Sequence, residues 1–292
     1  MILRQAGAIL LALVVAVGLL AAPPAVEEVR AATPDLTIVT AARYVVQPDN
    51  RRVKVTVDMT LHNRLRDTST RRYYFDSAFL AVLPGTSGFA VSSSGRSPTV
   101  KATRENKDYT LLRIDLGQRL FSGKTAKYRL TFDLRDRGGA STRDVRVGTS
   151  LASFPVWAFA SDSTPGSSVT VVFPKGYTIE TETGEFPAPT LDDQGRTVFQ
   201  SGTLETPLTF FAYFVADRPG AYEERGVATR VGDTPVEVVV RSWPEDPEWA
   251  ERIADLFARS LPELGQRIGL DWPRPDGLVV QEIGRASCRE RV

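Results

Sequence analysis

The sequence holds 292 residues, 42% hydrophobic and 24% charged, with a formal net charge of +1. This is globular composition, long enough for one large domain or two modest ones, and the near-neutral balance excludes a basic face broad enough to drive nucleic-acid binding. With one histidine and one cysteine, the chain can build neither a two-histidine zinc site nor an internal disulfide.

The chain begins with one early charge, Arg4, followed by an apolar run from Ala6 to Ala22, then Pro23-Pro24 and the small residues Ala31 and Ala32. A short basic start, an apolar middle and a small-residue end are the layout of a secretory signal over residues 1–31, with Val29-Arg30-Ala31 as the cut. The run is at the low edge of the length that spans a bilayer, so an uncleaved anchor over 6–22 is the alternative. Either way the expected location is extracellular or in the cell envelope.

From residue 35 to 242 the pattern is β. In "RVKVTVDMTLHN" (52–63), Val53, Val55, Val57, Met59 and Leu61 alternate with polar residues, so a half-buried strand is expected. "LTIVTAARYVVQ" (36–47) precedes it across the turn residues Pro48–Asn50, and the pair reads as a hairpin. Further strands are expected in 71–83, 109–116, 126–134, 156–160, 169–173, 177–182, 197–200, 208–216 and 236–242, separated by Gly, Pro, Asp and Ser. "GFAVSSSG" (88–95) reads as a polar loop. The fold class is therefore mostly β, an antiparallel β-sandwich or a saddle-like sheet. No strand–helix–strand rhythm appears before residue 245, which argues against a Rossmann-type fold.

The character changes at Trp243. Over 246–281, Trp249, Ile253, Leu256, Phe257, Leu261, Leu264 and Ile268 recur at helical spacing and predict one amphipathic helix. Asp246 is placed as its N-cap with Pro247 at the first helical position. Pro262 predicts a kink or break near Ser260, and Gly269 a stop. "GLVVQ" (277–281) then opens a second, α/β unit.

Candidate chemistry is sparse. His62 falls on the polar face of a strand and reads as a solvated histidine. There is no G-x-S-x-G elbow, P-loop or G-x-G-x-x-G. Asp192-Asp193 beside Gly195 read as a hairpin turn. Asp133 and Asp136 resemble a calcium loop only faintly, because the EF-hand spacing is missing. Glu182, Glu185 and Glu205 are scattered. The aromatic run Phe210–Phe214 reads as a strand covered on both faces, and Trp157 as a core or interdomain residue. No catalytic, cofactor-binding or metal residue is assigned.

The order of these parts resembles the N-terminal region of aminopeptidase N–like, peptidase MA-type gluzincins. The residues that carry the resemblance are "FPVWAFASDSTPGSSVTVVFPKGYTIETETGEF" (154–186), the helix, and then Trp272-Pro273, Pro275-Asp276 and Leu278–Val280. It covers roughly 35–281. It implies a saddle-shaped β domain ahead of a thermolysin-like zinc domain, with zinc expected only in that downstream domain. The family's H-E-x-x-H motif is absent here. The last ten residues, Ile283–Val292, with Glu282 at their border, resemble translated sequencing adapter, so Cys288 is not read as a functional thiol. The expectation is an exported, non-catalytic β domain of a zinc metallopeptidase, cut before its catalytic motif. Its partner would be the missing catalytic domain, met through Trp249, Ile253, Leu256 and Phe257, with peptide as the substrate walled by the cleft. The alternative is a cell-envelope binding or adhesion module with an Ig-like sandwich.

Overall fold

The computed structural model describes residues 34–138, 143–161, 164–269, 272–273 and 277–282. The signal-like segment 1–31 and the tail 283–292 lie outside the described residues. Strands β1 (Leu36–Gln47) and β2 (Arg52–Asn63) form the expected hairpin, in unbroken register from Leu36↔Asn63 to Gln47↔Arg52. A 3-10 turn at Pro48–Asn50 joins them, and Arg51 closes it in the left-handed region with its N–H on the Pro48 carbonyl. Val53, Val55, Val57 and Leu61 are completely buried, each stabilising the fold by about 1.5–3 kcal/mol.

The chain continues through β3 (Tyr74–Val82), β4 (Ser87–Ser92), β5 (Thr99–Glu105), β6 (Thr110–Phe121), β7 (Thr125–Arg135), β8 (Arg146–Val147), β9 (Leu151–Trp157) and β10 (Ser168–Phe173). Then come β11 (Thr178–Thr183), β12 (Thr190–Leu191), β13 (Thr197–Gln200), β14 (Phe211–Asp217), β15 (Glu223–Val231), β16 (Thr234–Ser242), helix α1 (Pro247–Ile268) and β17 (Leu278–Gln281). A seven-stranded sheet has the order β12-β13-β10-β1-β2-β7-β4, and two smaller sheets run β11-β14-β9-β8 and β3-β6-β5. Pairing is antiparallel apart from β1 with β10 and β16 with β17. All three sheets contribute to one hydrophobic core. Its aromatic centre is Phe154, Phe173, Phe199 and Phe214, with the Phe199 and Phe214 centroids 5.1 Å apart and edge-on, the geometry ring quadrupoles favour. The architecture is thus the expected mostly-β, sandwich-like one.

Two expectations need correction. Residues 88–95 are not simply a loop: β4 pairs with β7 from Ser87 to Ser92, because Phe89 and Val91 alternate and half-bury against the core. The Pro262 break does not occur: α1 is continuous from Pro247 to Ile268. The carbonyl that loses its partner to the proline is that of Ala258, on the exposed side of the helix, where it is not buried without a partner. Leu261 and Gly265, flanking the proline, are both buried.

The expected stop does hold. Gly269 is left-handed and its N–H reaches the Gly265 carbonyl at 2.9 Å, a conformation that glycine adopts without a Cβ penalty. Helix α1 packs on β15 and β16, and with β17 these build a second, smaller core around Val231, Val236, Val238, Val240, Ala250, Ala254 and Leu261. Hairpin β15–β16 therefore packs with the helix rather than with the sheets before it. Strand β16, helix α1 and parallel strand β17 make a β-α-β unit.

Candidate functional site

The residues that sequence singles out for chemistry are dispersed. His62 faces outward on β2, with Nδ1 3.0 Å from Thr125 Oγ1. Asp133 is buried and meets Arg52 at 2.9 Å, Lys54 at 3.3 Å and Arg135 at 3.0 Å. Burial alone would raise its pKa, but hydrogen bonds from Lys54 and Arg52 outweigh it and hold the carboxyl below the usual range. Asp136 accepts from Arg143 Nε at 2.7 Å, Gly138 N at 2.8 Å and Val147 N at 3.1 Å, and pairs with Arg51 at 3.3 Å. Burial raises its pKa too, yet Arg143 and the two amides bring it down to about 2. Guanidinium and amide hydrogens fill the positions a calcium ion would need.

Asp192 is the expected turn residue. Its Oδ1 accepts from the Gln194 and Arg196 amides at 3.0 Å, and Oδ2 from Arg196 Nε at 2.8 Å. Glu185 and Glu205 line one shallow depression beside Phe210 and Phe211; both are exposed, and Glu182 lies apart on β11. Among the described residues no group of three or more His, Cys, Asp or Glu could hold a metal.

Two features were not legible in the sequence. The first is a buried ionic junction. Arg146, on the two-residue strand β8, places Nη2 3.0 Å from Glu282 Oε1 and 3.4 Å from Asp246 Oδ2. All three side chains are buried. The Trp243 amide donates to Glu282 Oε2 at 3.0 Å, and the Glu282 amide donates to the Arg241 carbonyl at 2.8 Å. Burial raises the Glu282 pKa, and the Trp243 amide and Arg146 only partly offset it. One guanidinium thus ties the large core to the start of α1 and the end of β17. Asp246 holds the N-cap position but makes no cap bond, because its carboxylate turns to Arg146. Glu245 reinforces the junction, accepting from the Ser150 amide at 3.0 Å. Glu282, which sequence places at the border of the adapter-like tail, is thus an integral buried residue.

The second feature is an apolar groove of about 320 Å³. Its walls are the consecutive residues Phe79–Leu83 and Trp157–Ala160, with Tyr109, Asp108 and Leu208 at the ends. Trp157 is half-buried and lies against Phe211, centroids 5.8 Å apart, so it borders the groove rather than the deep core. In the aromatic run, Ala212, Tyr213 and Phe214 are buried while Phe211 is exposed; that strand is covered on both faces only in part. Among the described residues the polar side chains in the lining are those of Asp108, Tyr109 and Trp157.

No protein-family model matches the chain, and no curated protein matches it. Solved structures do. The chain is similar to an M1 zinc metallopeptidase from Deinococcus radiodurans, at 15% identity and a TM-score of 0.36, over 73% of this chain and 48% of that one. It is also similar to a mutant two-domain M1 zinc metallopeptidase bound to L-tryptophan, at 16% identity and a TM-score of 0.38, over 77% of this chain and 54% of that one. The chain spans about half the length of these structures. At TM-scores this low the likeness assigns neither family nor activity to this chain.

Proposed function

We propose that the chain is an exported, non-catalytic β-rich module of a metallopeptidase-like protein, a scaffold against which a zinc-bearing catalytic unit of the parent protein packs. The observation that carries the reading is the β-α-β unit. Strand β17 runs parallel to β16 at the edge of its sheet, and α1 covers one face while Leu256, Leu264 and Ile268 remain 48%, 46% and 55% exposed. Three exposed apolar side chains on one helix mark a surface suited to a partner. Of the contact residues expected from sequence, Trp249, Ile253 and Phe257 pack on the unit's own small core, so Leu256 with Leu264 and Ile268 is the available patch.

The residue inventory supports the non-catalytic half of the proposal. A two-histidine zinc site needs a second imidazole that the chain lacks, and a catalytic zinc needs three protein ligands. Among the described residues no group of three or more His, Cys, Asp or Glu could hold that metal. The buried Arg146 junction supports the scaffold half, because it fixes the β-α-β unit against the sheets.

The native gene read past the codon for Gln281 tests this reading. An H-E-x-x-H motif within some tens of codons is expected. A stop codon, or another β module in its place, contradicts the proposal.

A further inference from the structure

Edge strands offer unpaired N–H and C=O groups, and proteins blunt them with charge, shortness or irregular pairing. Among the described residues nearly every sheet edge here is blunted in one of these ways. Strands β8, β12 and β17 are short. Strand β5 carries Lys101, Arg104 and Glu105, β11 carries Glu180 and Glu182, and β15 carries Glu223, Glu224, Arg225 and Arg230. Strand β4 is interrupted in register between Ser87 and Ala90.

Strand β3 differs. Its first part carries Asp76 and a register shift between Phe75 and Ser77, but among the described residues it pairs with β6 alone, and from Ser77 to Val82 it runs in unbroken register with no charge and no proline. The apolar groove lies along this strand. Alternate side chains of a strand point to opposite faces, so a groove lined by five consecutive residues, Phe79–Leu83, follows the main-chain edge. Trp157–Ala160 form the opposite wall, and exposed Phe79 and Leu208 border it. Among the described residues Asp108 is the one charged residue in the lining. It is exposed, and among the described residues its carboxylate has no ion-pair partner.

We infer that this groove is a docking site for an extended, apolar peptide segment that adds to β3 as a strand and sets a cationic group against Asp108. Main-chain bonding to β3 supplies affinity and the apolar walls select alternate side chains, the division of labour of strand addition. The inference does not rest on the metallopeptidase-like reading, since the groove belongs to the sandwich and not to the β-α-β unit.

Backbone amide hydrogen exchange on the full chain tests it, using short acetylated peptides of alternating valine and threonine that end in lysine, glutamate or a neutral amide. Saturable binding is expected to slow exchange in β3 between Ser77 and Val82. The lysine-ended peptide should bind about threefold tighter than the glutamate-ended one, the scale of one exposed ion pair, and Asp108→Asn should remove that preference. Phe79→Glu and Leu208→Glu, both at exposed positions, should abolish binding while the thermal midpoint stays unchanged. Several results would overturn the inference. They are no saturable binding by any of the three peptides at millimolar concentration, protection confined to other strands, or equal affinity for the two charged peptides. Exchange in β3 that slows with protein concentration alone would show that a second copy occupies the edge instead.

Discussion

Arg146 stands between two carboxylates, and its removal leaves both buried without a counter-charge. Breaking a buried pair by deleting one partner costs about 3–5 kcal/mol, so Arg146→Met should lower the urea midpoint by that amount of stability, and adding Glu282→Gln should recover part of it. An unchanged midpoint would remove the junction from the account. Asp136 gives a second test, in pH. Its folded pKa of about 2 lies below the ordinary aspartate value near 4, so the folded state holds the carboxylate. The resulting stability, about 2 kcal/mol by linkage, is full above pH 4 and is lost as pH falls toward 2. Asp136→Asn should flatten that part of the stability–pH curve measured by chemical denaturation. Neither role is visible in "LRDRGG" or "RDVRVG", because the partners lie on other strands. An acidic residue followed by arginines reads the same in sequence whether it is paired or free.

At the scale of elements, α1 depends on one close approach. A Cβ on Gly265 would come within 2.7 Å of the Gly232 backbone nitrogen and 2.9 Å of Val231 Cγ1. Alanine is normally favoured over glycine in a helix by about 1 kcal/mol. Here Gly265→Ala should instead lower the thermal midpoint, because the neighbour is backbone in the β15–β16 turn and cannot move aside cheaply. A raised midpoint would show that the helix sits less tightly than the structure has it. The same scale explains which elements were readable. The strands β1, β2, β6 and β7 alternate because one face is buried, and their periodicity announces them. Strand β5 is exposed along almost its whole length and leaves no such trace. Strand β8 is too short to have a period. Of the hairpin β15–β16 only β16 is legible as a strand; β15 is exposed along most of its length and leaves no trace, and the pair's allegiance to α1 is decided by packing that no local pattern encodes.

Over the whole molecule, the groove beside β3 and the junction at Arg146 arise from contacts far apart in sequence. Residues 79–83 meet 157–160, and residue 146 meets 246 and 282. The broad architecture was readable from turn residues and alternation, whereas these meeting points depend on sheet order. Together they describe a sandwich with a β-α-β unit fixed to it and apolar helix side chains exposed at Leu256, Leu264 and Ile268. Leu264→Glu with Ile268→Glu should therefore reduce any self-association of the isolated chain seen by light scattering, without changing its fold by circular dichroism. The central proposal is that this chain serves as a scaffold, with the zinc chemistry carried by another part of the parent protein. Zinc content and chelator-sensitive peptide hydrolysis, measured together on the purified chain, test it most directly. The account expects no stoichiometric zinc and no hydrolysis that a chelator removes, whereas one zinc per chain with chelator-sensitive release of amino acids would contradict it.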